Sequence, residues 1–203
     1  MEGRPRLFEG KRTVINNRVY KVNLTKSYIH FHSNAHNNGG TGFLVFQLDK
    51  EDGEILLEDV TSKNNGNNGM QLSGTGVTVR NAEVSGNDDG IIIVGYLPFP
   101  NAPLTGINLE GQISSYNNYR SGVVISNFIG VANGTVDISA NLNVYLNGLS
   151  GIETSTFPDI ISGSYDTFVD VTLESGGSIA ACNNGGNTNE ADARADIFNN
   201  GNS

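Results

Sequence analysis

Gly69-Met70-Gln71-Leu72, Val77-Thr78-Val79, Val84 and Asn87-Asp88 follow one another, and the pattern restarts at Gly90 with Ile91-Ile92-Ile93-Val94. Each unit is a glycine, a short apolar strand, a second strand and a polar, asparagine-rich corner. The unit before it runs from Gly42 through Phe43-Leu44-Val45-Phe46 and residues 55–60 to Asn64-Asn65. The unit from Gly90 continues with Ile107-Asn108-Leu109, Ile113 and Asn117-Asn118. Gly122 opens Val123-Val124-Ile125, then Val136-Asp137-Ile138, Leu142, Val144 and Asn147; a fifth unit begins at Gly151-Ile152. The steps from glycine to glycine are 27, 21, 32 and 29 residues. The shortest step is one turn of three short strands, and the longer ones add a loop. Residues 97–103 hold three of the five prolines, which cannot donate to a sheet ladder, so this stretch reads as an excursion.

Alternation along a strand leaves two or three apolar side chains facing inward, too few for one unit to bury alone. Units stacked about 4.8 Å apart bury a continuous column instead. Val79, Ile92, Leu109, Val124 and Ile138 are the expected members of that column. Gly and Asn suit the left-handed backbone of sharp corners, and stacked Asn side chains form hydrogen-bonded ladders. Over residues 41–181 this repeat resembles the right-handed parallel β-helix of the pectate-lyase-like superfamily. The resemblance implies an all-β solenoid of about five coils. Residues 1–40 then read as N-terminal strands or a cap, and 182–203 as a polar Asn/Gly-rich tail. Within that tail, residues 190–198 read as a short helix.

Composition narrows the function. The chain has 203 residues, including 26 Gly and 28 Asn, and 12 basic against 21 acidic residues leave a net charge of −9. Such a surface does not displace counterions from nucleic-acid phosphates or dock on an anionic membrane. No apolar run approaches the roughly 20 residues that span a bilayer. Cys182 is the sole cysteine, so no intrachain disulfide forms. The first residues, Met1 to Arg6, lack the apolar stretch of a signal peptide.

Three constellations can carry chemistry. Gly86-Asn87-Asp88-Asp89-Gly90 resembles the Gly-Asp-Asp segment of polygalacturonase-type glycoside hydrolases, which implies catalytic roles for Asp88 and Asp89. The other family motifs are missing. Asn67-Asn68-Gly69 stands where another acid belongs, residues 118–122 replace Gly-His-Gly, and no Arg-Ile-Lys follows. The competing reading of Asp88-Asp89 is a plain corner. Arg120, with Tyr116 and Tyr119, is a candidate for holding a sugar carboxylate while a ring stacks on the sugar; Arg120 is also the third candidate catalytic group. His30, His32 and His36 are a candidate zinc or nickel set without an evident supporting carboxylate, and cap-region histidines are the competing account. No cofactor is called for. Calcium lacks an acidic cluster on adjacent coils.

The expected function is a structural or recognition module of an extracellular, cell-surface or virion assembly, contacting glycans. The alternative is a polysaccharide hydrolase, lyase or epimerase acting on an acidic glycan. Open sheet ends predict a homo-oligomer, with Ile197 and Phe198 of the tail as anchors on a neighbouring copy; the competing account is a monomer whose tail folds back on its own last coil.

Overall fold

The computed structural model describes residues 6–15, 27–47, 53–94, 106–127, 134–156, 169–185 and 197–200. These residues are all-β, with no helix among them. Two sheets form, and their strand pairs are parallel throughout. The first sheet contains β1 (Arg6–Ile15), β2 (Ser27–His36), β4 (Gly53–Lys63), β6 (Val77–Ser85), β8 (Ile107–Tyr116), β10 (Gly134–Ile138) and β13 (Val169–Leu173), in that order. Beside the second half of β8 lie β11 (Asn141–Tyr145) and then β14 (Ser178–Cys182). The second sheet contains β3 (Phe43–Gln47), β5 (Met70–Gly74), β7 (Ile91–Val94), β9 (Val123–Asn127), β12 (Ile152–Thr156) and β15 (Ile197–Asn200). From β3 to β9 the chain alternates between the sheets, and each strand pairs with the equivalent strand of the next repeat.

The long strands β4, β6 and β8 bend midway. Asp59, Asn81 and Gly111 have φ of 50°, 54° and 69°, and the ladder from β6 to β8 skips between Arg80 and Ala82. The first half of β8 therefore pairs with β10 and the second half with β11. Each full repeat contributes three strand segments, as the short glycine step required.

The core is built from aligned rows. Ile55, Val77, Ile107 and Val136 occupy one register position and Leu57, Val79, Leu109 and Ile138 another, all buried. The second sheet adds Met70, Ile91, Val123 and Ile152, with Leu72, Ile93 and Ile125 beside them. Each such side chain contributes about 1.5–3 kcal/mol on burial. Val79, Leu109 and Ile138 are where alternation places them. Ile92 and Val124 are not in the core: both are half-buried on the outer face. Four successive apolar residues, 91–94, carry no alternation, so their phase is set by the corner before them.

Two columns define that corner. Asn38, Asn65, Asn87, Asn118, Asn147 and Asn184 form a ladder. From Asn38 to Asn147, each donates its backbone N–H and its Nδ2 to the Oδ1 of the next, at 2.8–3.1 Å. Against it stand Gly42, Gly69, Gly90 and Gly122. A Cβ on Gly69 would lie 2.3 Å from Val84 Cγ1 and 2.7 Å from Asn87 Nδ2, and one on Gly90 would lie 2.2 Å from the Gly122 carbonyl. These glycines have no positive φ; they are required for want of room. The left-handed corner positions belong instead mainly to Asn37, Asn64, Asn117 and Asn183, each immediately before a ladder asparagine.

Two expectations fall on the tail. Ile197 and Phe198 lie in strand β15, not a helix, because β12 offers Ile152–Ser155 a parallel partner within the same chain. That pairing brings the backbone of 197–200 onto a strand of its own chain. Residues 97–103 and 190–196 lie outside the described residues.

Candidate functional site

The corner preceding β7 and β9 brings Asp88, Asp89 and Arg120 together. The Asp88 N–H donates to the Asn67 carbonyl and the Arg120 N–H to the Asp88 carbonyl, at 2.9 and 2.8 Å, so three repeats are laced at this point. Asp89 is buried, at 8% exposure. Its Oδ1 accepts the Ser121 N–H at 3.0 Å, and its Oδ2 lies 3.6 Å from Arg120 Nε. Burial pushes the Asp89 carboxyl above its ordinary range; the Ser121 N–H and Arg120 oppose this, while Asp88 and Glu153 add to it. Ser121 Oγ donates to Glu153 Oε2 at 3.2 Å. One repeat on, Ser150 is buried with no partner for its hydroxyl.

Both Asp89 oxygens thus face the next repeat. A sugar hydrolase needs one carboxyl group to protonate the leaving oxygen and another across the scissile bond. Here the elevated proton affinity belongs to a group that holds backbone.

Tyr116 does not join Arg120 at this corner. Tyr119 is exposed on the corner, whereas Tyr116 lies at the end of β8 and stacks on Tyr145 with ring centres 4.9 Å apart and planes 2° from parallel. The Tyr116 hydroxyl donates to Glu83, which pairs with Lys63 Nζ at 2.8 Å. The Lys63 and Tyr116 hydrogen bonds hold the Glu83 carboxyl below its usual range despite partial burial.

Two of the histidines, His32 and His36, have described surroundings. His32 lies at the register shift between β2 and β4, with Nε2 3.7 Å from Glu58 and Nδ1 3.7 Å from Asp59; His36 pairs in register with Lys63. His30 aligns with Leu56. Among the described residues no three His, Cys, Asp or Glu side chains are placed to hold a metal ion.

A further row, not singled out by the sequence motifs, lies on the outer face of the first sheet. Arg80 donates to Glu110 Oε2 through Nε and Nη2 at 2.9 and 2.6 Å, and through Nη1 to Glu58 Oε1 at 3.1 Å. Glu58, Arg80 and Glu110 occupy equivalent positions of three repeats, 22 and 30 residues apart. Aligning the repeats by their apolar strands would have revealed the acid–base–acid row. Beside it is a groove of about 390 Å³ whose polar lining includes Glu54, Thr75, Thr78, Arg80, Asn108 and Glu110.

Among the described residues no helix is long and apolar enough to cross a membrane. No family model, curated protein or solved structure matches the chain.

Proposed function

We propose that this chain is a right-handed parallel β-helix acting as a structural or recognition module of an extracellular, cell-surface or virion assembly, with a glycan as the ligand of its outer face. The use of Asp89 carries this reading. The acid that resembles a catalytic residue is buried and holds the backbone of the following repeat. Its neighbours Asn87 and Gly90 belong to the asparagine ladder and the glycine column. The groove beside Arg80 supplies donors and acceptors suited to sugar hydroxyls, and its acids disfavour an anionic glycan there.

The second reading is a polysaccharide hydrolase, lyase or epimerase, favoured by the raised proton affinity of Asp89 beside Asp88 and Arg120. A panel of polysaccharides, assayed for binding, reducing ends and unsaturated products, separates the two. The module reading expects binding without turnover, with binding retained in Asp89→Asn. Turnover that disappears in Asp89→Asn and persists in Asp137→Asn would establish the enzyme.

A further inference from the structure

We infer that the edge formed by β13 and β14 docks the β1 strand of a second copy of this chain, giving a head-to-tail array. The inference rests on the coil reading above. Strand β1 stands at one end of the first sheet's order, and β13 and β14 stand at the other. Val136 and Ile138 on β10 are buried, yet their register partners Val171 and Leu173 on β13 are 41% and 52% exposed. The inward-facing row thus continues to the edge, and among the described residues no strand covers it.

The second copy's β1 fits by length, direction and charge. It spans ten residues, against five in β13 and five in β14. It already runs parallel to β2, the same sense as every pairing in the sheet. Extending the observed register by one strand sets Phe8 of the second copy over Val171, Gly10 over Leu173 and Val14 over Ala181. Strand β1 contains Arg6, Lys11 and Arg12 against a single acid, Glu9; residues 169–182 contain Asp170 and Glu174 and no base. In sequence, β1 is followed by Asn16-Asn17, just as β2 is followed by Asn37-Asn38, the corner pair that opens the ladder. Because the two docking surfaces differ, the contact is heterologous and propagates unless its rotation closes a ring.

Sedimentation velocity of the full chain from about 1 to 100 μM, with electron micrographs at the upper end, tests this across a range in which weak self-association appears. Concentration-dependent growth into linear particles or rings is expected. Leu173→Asp should weaken association about tenfold or more at an unchanged melting temperature, since Leu173 is exposed. Lys11→Glu, which reduces the charge contrast between the two surfaces, should weaken it too. A parent that stays at monomer mass overturns the docking. So does association that Leu173→Asp leaves untouched, since another surface would then be responsible. Either result leaves the coil standing, provided the parent melts cooperatively and Ile93→Asp unfolds it. If Ile93→Asp melts like the parent, the coil reading itself has failed.

Discussion

Val136-Asp137-Ile138 and Val171-Thr172-Leu173 are nearly the same sequence in the same sheet, one strand apart, yet they have opposite environments. In the first, Val136 is fully buried and Ile138 is 1% exposed; in the second, Val171 and Leu173 stand 41% and 52% in solvent. The alternation and strand propensity are alike, so intrinsic preference does not account for the contrast. A strand on each side does. In a stacked sheet an apolar residue is covered by its counterparts in the repeats before and after it, and among the described strands β13 pairs with β10 alone.

The largest effect tests this contrast directly. Ile93→Asp places a carboxylate without a partner where exposure is zero and should cost several kcal/mol, unfolding the domain. Leu173→Asp, at the half-exposed edge, should shift stability by no more than about 0.5 kcal/mol in the monomer. Urea melts of the two variants at low concentration give the comparison. Equal losses would mean that the edge is as well packed as the middle.

Next is the ladder. Asn87→Ala removes the acceptor of both Asn65 donors inside the protein and should destabilise by about 1–3 kcal/mol. Asn184→Ala removes an equivalent acceptor for Asn147, but at a part-buried position where water can substitute, so about 1 kcal/mol or less is expected. Denaturant midpoints read the difference. A ladder equally costly at both sites would mean that solvent does not reach the last rung.

The smallest effect concerns Asp89. Its folded carboxyl holds a proton more tightly than the ordinary value of 3.8. The native state therefore binds more protons than the unfolded chain in the window above that value, and stability falls as pH rises through it. Asp89→Asn should flatten this slope and melt at or slightly above the parent at pH 7. Glu83, held low by Lys63, acts in the opposite sense, its stabilisation fading as pH falls below the ordinary glutamate range. The variant-minus-parent difference isolates Asp89. A variant clearly less stable at pH 7 would show that the ionised carboxylate, through Arg120 and Ser121, stabilises the corner.

Much of the arrangement was legible from particular residues. The glycines at 42, 69, 90 and 122 marked the repeats, and Asn65, Asn87, Asn118 and Asn147 were identifiable as corner residues. The reason those glycines are glycine was not legible. Their φ is unremarkable, and the crowding at Gly69 comes from Val84 and Asn87, further along the chain. The candidate site was legible only in part. Asp88, Asp89 and Arg120 share a corner, but Tyr116 faces Tyr145 and Glu83, because Asn117, at φ 52°, separates strand from corner.

By itself the sequence determined an all-β class built from repeated strands over residues 41–181, since the glycine steps and short apolar runs there do not suit helices. It also determined that an asparagine stands at each repeat's corner. The tertiary structure decided which of Ile91, Ile92 and Ile93 enter the core, that Asp89 braces backbone, and that Arg80 joins Glu58 to Glu110. The physical reason is common to all three. Alternation sets a side chain's face only up to its phase, and phase, burial and pairing all depend on residues 21 to 32 positions away that arrive only when the next repeat is stacked.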